Sequence, residues 1–176
     1  DPATGLTTAV ANGVVNINNV APVITVLAAT SPINENGVAT LNGTFTDPGT
    51  PDVHTVYITW GDGGSETFVL PVGARGFSAT HQYLDDGSSP GNGTASDLYT
   101  VNVTVTDDDL GSGSASAAVT VNNVAPAVTA SVNNAAINEN GSVTVSGNIT
   151  DPGTLDAHTV TISWGPGEGT TTLNLA

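Results

Sequence analysis

The sequence predicts an all-β fold made of tandem sandwiches of about seven short strands each. Apolar and polar residues alternate with a period of two in the candidate strands. Thr and Val dominate these runs, whereas Gly, Asn, Asp and Pro separate them. The same residues also return 104 positions later along the chain. Short strands at this density are typical of immunoglobulin-like sandwiches.

The repeat divides the chain into three parts. His54 returns as His158 and Trp60 as Trp164, and about half of the positions from 21 to 72 match their equivalents without a gap. Residues 1–20 are therefore interpreted as the last strand of a preceding repeat, 21–124 as one complete repeat and 125–176 as the first half of the next. The incomplete pieces cannot bury their apolar faces alone. We expect them to pack against neighbouring repeats or identical subunits in a head-to-tail fibre.

Each candidate strand presents one apolar face to the predicted core. Trp60 continues the alternation of the third strand, where such sandwiches bury an indole. Residues 97–101 have the layout of a tyrosine corner around Tyr99. The inward positions predicted by the alternation are Leu41, Gly43, Phe45, Val56, Ile58, Trp60, Tyr99, Val101, Val103, Val105, Ala117, Val119 and Val121.

The composition excludes several classes of partner. The net charge is −15, because 16 acidic residues face a single basic one, Arg75. Such a chain repels nucleic acid and anionic membranes, and it has no long apolar run for direct membrane insertion. Without Cys it has neither disulfides nor thiolate metal sites. No nucleophile motif is present, so the sequence does not predict an enzyme.

Two motifs resemble known extracellular modules. Residues 60–63 (Trp-Gly-Asp-Gly) and 99–107 (Tyr-Thr-Val-Asn-Val-Thr-Val-Thr-Asp) resemble the PKD domain family. The joints at 18–22 and 122–126, both Asn-Asn-Val-Ala-Pro, are similar to cadherin interdomain linkers. The resemblance implies an extracellular β-sandwich, used in tandem on cell surfaces and as a spacer in secreted hydrolases. The second copy reads Trp-Gly-Pro-Gly, so Asp62 has no role common to all repeats.

Acidic residues concentrate in loops that a sandwich brings to one tip, where the second-to-third-strand and sixth-to-seventh-strand loops meet. Calcium suits such a tip, because it takes 6–8 oxygen ligands in tolerant geometry. We therefore predict calcium at the interdomain joints. The predicted ligands are Asp47, Asp52, Asp107 and Asp109 with Asn18 and Asn19 at the first joint, and Asp151 and Asp156 with Asn122 and Asn123 at the second.

The repeat equivalents Glu35 and Glu139, together with the acids at 85–86, are expected at the opposite end of each sandwich. By analogy with cadherins, Glu35 and the acids at 85–86 would complete the site of the following joint. The alternative is that the loop acids cap turns and keep the surface soluble. Both interpretations are compatible with the sequence.

The sequence thus predicts a structural segment of a long extracellular or cell-surface repeat protein, such as a fibre, stalk, adhesin shaft or surface-layer component. The alternative is a spacer or carbohydrate-binding accessory module of a secreted hydrolase. A covalently attached glycan is a further possible partner, because five Asn-x-Ser/Thr triplets are present. They begin at Asn42, Asn92, Asn102, Asn140 and Asn148.

Overall fold

The computed structural model describes residues 13–87 and 93–175, which contain twelve strands and no helix. Asn92 and the first part of the expected preceding strand lie outside the described residues. The strands are β1 (Val23–Ala29), β2 (Ile33–Asn34), β3 (Gly37–Thr46), β4 (Thr55–Thr59), β5 (Ser65–Val69), β6 (Gly76–Tyr83), β7 (Ser96–Thr106), β8 (Ser112–Asn122), β9 (Ala127–Val132), β10 (Val145–Thr150), β11 (His158–Ser163) and β12 (Thr170–Leu175).

The first eight strands form two sheets. One sheet has the order β1-β3-β6, and the other has the order β2-β8-β7-β4-β5. All neighbours are antiparallel except β2 and β8, which run parallel with Ile33 opposite Val121. The two-residue strand β2 takes the chain from the first sheet to the second between β1 and β3. This region therefore has eight strands, one more than the sequence indicated.

Side chains from both sheets form one apolar core, as the alternation predicts. Leu41 and Phe45 of β3 are buried, and so are Val56 and Ile58 of β4. Trp60 directly follows β4 and is only 2% exposed. The remaining buried apolar residues of this core are Ala39, Leu70, Phe77, Ala79, Tyr83, Val101, Val103, Val105, Val119 and Val121.

Gly43 shows why one inward position of β3 carries no side chain. It is buried opposite Phe77 of β6. A Cβ atom at this position would overlap the ring of Phe77. The missing side chain thus leaves room for an aromatic ring in a close-packed core.

Residues 127–175 form two antiparallel pairs, β9 with β10 and β11 with β12. Ile149 lies opposite Val128, just as Phe45 lies opposite Ile24 at positions 104 lower. The described side chains of β9–β12 are half-buried or exposed, and Trp164 is 37% exposed, in contrast to the buried Trp60. These strands thus repeat local pairings of the first unit without an equivalent core.

The hairpin after the tryptophan differs between the two copies. Thr59 pairs with Ser65 in the first hairpin, whereas Ser163 pairs with Thr170 in the second. The second loop is one residue longer, so the gap-free alignment ends within this hairpin. Three glycines of the second loop have positive φ angles, which glycine adopts without strain and which allow the longer turn.

Residues 13–22 precede β1 and form no strand. Val14, Val15 and Ile17 are exposed. The interpretation of residues 1–20 as the last strand of a preceding repeat stays a prediction. Within residues 13–87 and 93–175, no helix has the length and apolar character needed to cross a bilayer. Asn42, Asn102, Asn140 and Asn148 are exposed, and their glycosylation stays a prediction.

Candidate metal centre

Two groups of carboxylates lie at opposite ends of the eight-stranded unit. The first group, the tip cluster, consists of Asp47, Asp52 and Asp107. Asp47 and Asp52 follow β3 and Asp107 follows β7, so the two loops meet as predicted. One oxygen from each residue lies within 4.8 Å of the others.

Protein donors already occupy the oxygens of Asp47. Its Oδ1 accepts the Gly49 N–H at 2.8 Å, and its Oδ2 lies 2.9 Å from His54 Nε2. This contact gives His54 the structural hydrogen bond that its position at a strand start suggests. The bonds fit the turn-capping interpretation of this residue.

Both carboxylate oxygens of Asp107 also accept hydrogen bonds from protein donors. Its Oδ1 accepts the N–H groups of Asp109 at 3.0 Å and Gly111 at 2.7 Å. Its Oδ2 accepts the side-chain amide of Asn19 at 2.8 Å. Asn18 lines a cleft with Asn19, Asp52 and Asp109. The structure thus brings the predicted residues of the first joint together, but Asp109 lies outside the tip cluster.

The pKa values of Asp47 and Asp52, the two acids after β3, are shifted in opposite directions. Burial raises the pKa of Asp47, but hydrogen bonds from His54 and Gly49 and the charge of Arg75 outweigh it, so the net pKa is lowered. Desolvation and the charges of Asp47 and the neighbouring acids raise the pKa of Asp52. Among the described residues, Asp52 is thus the carboxylate of the tip cluster whose pKa is raised.

The second group, the joint cluster, contains Glu35, Asp85, Asp86, Asp151 and Asp156. Glu35 follows β2, and Asp85 and Asp86 follow β6. Asp151 and Asp156 lie between β10 and β11. Carboxylates from residues 21–124 therefore meet carboxylates from residues 125–176. Oxygens of Glu35, Asp85 and Asp86 lie within 4.8 Å of one another, and so do oxygens of Glu35, Asp151 and Asp156.

The backbone holds the two sides of this joint in contact. The Thr154 N–H donates to the Leu84 carbonyl at 3.3 Å. The Val124 N–H, in the linker, donates to Glu35 Oε1 at 2.6 Å. Gly153 packs so closely that a Cβ atom there would lie 2.8 Å from Glu35 Oε2. These contacts hold the loop that contains Asp151 and Asp156 against the end of the preceding unit.

The linker residues predicted as ligands have different positions. Asn123 lines the same cleft as Asp86, Asp151 and Asp156. Asn122 ends β8, and its carbonyl accepts the Glu35 N–H at 3.0 Å. The structure therefore places Asn123 beside the joint cluster, whereas Asn122 contributes a backbone contact that positions Glu35.

Four oxygens of the joint cluster are buried without a hydrogen-bond donor among the described residues. They are Glu35 Oε2, Asp85 Oδ2, Asp86 Oδ2 and Asp151 Oδ2. Glu35 is 2% exposed, and Asp85 and Asp86 are each 4% exposed. A buried carboxylate oxygen without a partner is destabilising unless a proton or a cation compensates it.

Little positive charge is available at this joint. His158 Nε2 lies 3.1 Å from Asp151 Oδ2. Arg75 is the single Lys or Arg of the sequence, and it donates instead to the Gly49 carbonyl at 2.6 Å, beside the tip cluster. No Lys or Arg side chain therefore neutralises the five acids.

The electrostatics of the joint cluster favour protonation or cation binding. Burial raises the pKa of Glu35, the Val124 N–H partly opposes this effect, and the charges of Asp156, Asp151 and Asp86 raise the pKa further. Burial and the adjacent Asp85 raise the pKa of Asp86. Burial and the charges of Asp85 and Asp151 likewise raise the pKa of Asp156. These groups resist being ionised together.

In chelator, the chain is expected to become more stable as the pH falls from 7 towards about 5. The folded pKa values of Glu35, Asp86 and Asp156 lie above their unfolded values of 4.5, 3.8 and 3.8, so the folded state takes up these protons first. Asp47 and Asp62 have lowered pKa values, and their contribution is lost only at more acidic pH. The check is the melting temperature by circular dichroism.

Glu35→Gln is the control for this pH dependence. It removes one titrating group and should make the melting temperature less sensitive to pH in that range. A metal-free chain whose melting temperature stays constant or falls between pH 7 and 5 would contradict the assignment.

Comparisons with solved structures give low-identity matches to PKD and CARDB domains. The PKD domain of an M14-like peptidase from a Thermoplasmatales archaeon has 21% identity and a TM-score of 0.49, covering 60% of this chain and 99% of that domain. The PKD1 domain of Vibrio anguillarum Epp has 18% identity and a TM-score of 0.40, covering 60% and 98%. A Pyrococcus furiosus CARDB domain in complex with di-metal ions has 13% identity and a TM-score of 0.37, covering 61% and 98%. No protein-family model and no curated protein matched the chain.

Proposed function

We propose that this chain is a structural segment of a long extracellular repeat protein in which calcium locks consecutive β-sandwiches at their joints. A fibre, stalk, adhesin shaft or surface-layer component would use such a segment to gain length. Repeats that contact only their neighbours contribute length nearly additively. Rigid joints would keep such a chain of repeats extended over its full length.

The observation that carries this proposal is the joint cluster. Its five carboxylates come from both sides of one joint, and four of their oxygens are buried without a donor among the described residues. Two like charges about 5 Å apart repel by roughly 3–4 kcal/mol at an effective dielectric constant of about 20. A divalent cation would turn this repulsion into an attraction between the two units.

Calcium fits the arrangement better than a smaller ion. Oxygens on opposite sides of calcium are about 4.6–5.2 Å apart, because each lies at about 2.3–2.6 Å. The oxygens of Glu35, Asp85 and Asp86 lie within 4.8 Å of one another, and so do those of Glu35, Asp151 and Asp156, so a calcium ion can span each group. Magnesium requires near-ideal octahedral geometry at about 2.0–2.1 Å and retains several waters. Carboxylates from separate loops suit the more tolerant ion.

The repeat extends the same arrangement to the other end of the unit. Asp47 and Asp52 occupy the positions that Asp151 and Asp156 occupy in the following copy. A preceding repeat would bring its own equivalent of Glu35 to the tip cluster. Every internal unit would then present one acidic face to each neighbour, which is the pattern that a head-to-tail array requires.

Small-angle X-ray scattering of the whole 176-residue chain tests the proposal. In calcium the particle should have a larger radius of gyration than in chelator at matched ionic strength, because a locked joint keeps the two units extended. The conservative variant Glu35→Gln should scatter like the chelated protein in both conditions. Identical curves for the wild type with calcium and with chelator would contradict calcium locking.

A further inference from the structure

We propose that the joint binds two calcium ions, one on each side of Glu35, and that the Glu35 carboxylate bridges them. This inference rests on the proposed function, because it takes calcium as the ion of the joint. It adds the number of ions and assigns a separate ligand set to each.

The geometry separates two positions. Glu35 with Asp85 and Asp86 forms one set of mutually close oxygens, and Glu35 with Asp151 and Asp156 forms another. The five residues do not form a single set in which all ligand oxygens lie within 4.8 Å of one another. Because calcium binds oxygens at about 2.3–2.6 Å, this separation favours two ions that share Glu35 over one ion bound by all five carboxylates.

Each position has a buried oxygen that lacks a hydrogen-bond donor among the described residues. In the first set these are Asp85 Oδ2 and Asp86 Oδ2, from side chains that are 4% exposed. In the second set it is Asp151 Oδ2, which His158 approaches at 3.1 Å without a hydrogen bond. Glu35 belongs to both sets, and its Oε2 is also without a donor in the part of the chain that the structure describes. These oxygens point to a ligand at both positions.

The charge balance also favours two ions. The five ionised carboxylates of the joint cluster carry five negative charges. One calcium ion would leave three of them uncompensated in a partly buried site, whereas two would leave one. His158 is a basic group that lies beside the second position, 3.1 Å from Asp151 Oδ2. Buried charges require this kind of compensation.

The two positions differ in what they connect. The ligands of the first position all come from residues 21–124, so it forms within one unit. The second position needs Asp151 and Asp156 from the following residues, so it alone joins the two units. The first ion would orient Glu35, and the second would lock the joint.

Calcium stoichiometry on the whole chain tests this assignment, measured by native mass spectrometry and isothermal titration calorimetry after chelator treatment. Glu35→Gln is expected to bind two ions fewer than the wild type. The double variants Asp85→Asn/Asp86→Asn and Asp151→Asn/Asp156→Asn should each bind one ion fewer. Glu139→Gln, the repeat equivalent of the bridging residue, should bind as many ions as the wild type. Because each variant is compared with the wild type, an ion held by the tip cluster contributes equally to both and does not affect the difference.

The outcomes separate this inference from the proposed function. If Glu35→Gln and Asp151→Asn/Asp156→Asn lose the same single ion, the joint has one site, and only the two-ion inference fails. If no variant of the joint cluster loses an ion, the proposed function fails as well. A loss of two ions from either double variant overturns the separate ligand sets. If Glu35→Gln does not fold, the quadruple variant of the four aspartates replaces it and should lose two ions.

Discussion

Replacing Trp60 by alanine is expected to lower the free energy of unfolding by about 3–5 kcal/mol. The indole is 2% exposed and stacks on His81 with ring centroids 4.9 Å apart. The Tyr83 hydroxyl donates to the Trp60 carbonyl at 2.8 Å, so the backbone at this point is also fixed. Removing the ring would leave a cavity between the two sheets. Urea-induced unfolding followed by circular dichroism measures the loss.

Trp164→Ala is the matched control for this substitution. Trp164 is the repeat equivalent, but it is 37% exposed and lies outside the buried core. Its loss should cost about 1 kcal/mol or less, as is usual for surface positions. Equal costs for the two alanine variants would show that the core does not depend on Trp60 in the way that its burial indicates.

Glu35→Gln is expected to remove the calcium-dependent gain in stability of the joint. A ligand that binds only the folded state at 100 times its dissociation constant stabilises by about 2.7 kcal/mol. Gln keeps the acceptor for the Val124 N–H, which Glu35 Oε1 holds at 2.6 Å, but it removes the negative charge. In chelator the variant should melt above the wild type, because the charges of Asp156, Asp151 and Asp86 no longer oppose a charged Glu35.

Glu139→Gln is the control for Glu35→Gln, because it makes the same chemical change at the equivalent position. Glu139 is exposed and belongs to neither acidic cluster of the described chain. Its calcium response should equal that of the wild type. A full calcium response in Glu35→Gln, or its loss in Glu139→Gln, would contradict the assignment of the site.

The alternation of apolar residues was sufficient to predict the strands and most of the core. The prediction succeeded for β3, β4 and β7 because one face of each of these strands packs into the core, so that residues two apart share an environment. It did not predict β2, since two residues cannot show a period. It also missed the buried Tyr83, whose hydroxyl contacts the Trp60 carbonyl across a separation of 23 residues.

The aromatic surroundings of Trp60 depend on contacts that the sequence does not show. His81 stands alone in the sequence, yet it stacks on Trp60, and its Nε2 lies 2.6 Å from Asp62 Oδ2. The pairing of β3 with β6 fixes the position of His81 opposite Ala39. A register between distant strands determines this arrangement, and no local motif encodes it.

The sequence predicted most residues of the candidate site, but it did not predict how hydrogen-bond donors are distributed between the two acidic clusters. The analogy with cadherin linkers indicated that Asp151 and Asp156 would face acids from the preceding unit, and the structure places Glu35, Asp85 and Asp86 there. The sequence could not show that the two ends differ in their donors. Asp47 and Asp107 contact backbone N–H groups and the side chains of His54 and Asn19, whereas the joint cluster has buried oxygens without donors among the described residues.

Amide hydrogen exchange at Thr154 tests the central claim, that calcium locks the joint, most directly. The Thr154 N–H donates to the Leu84 carbonyl across the joint at 3.3 Å, so its protection reports whether the two units stay in contact. The Leu70 N–H, which donates to the His54 carbonyl within the first unit at 2.8 Å, serves as an internal reference. We predict that calcium protects Thr154 and that chelator removes this protection while Leu70 keeps its own. Equal exchange of Thr154 in calcium and in chelator would contradict a cation-locked joint.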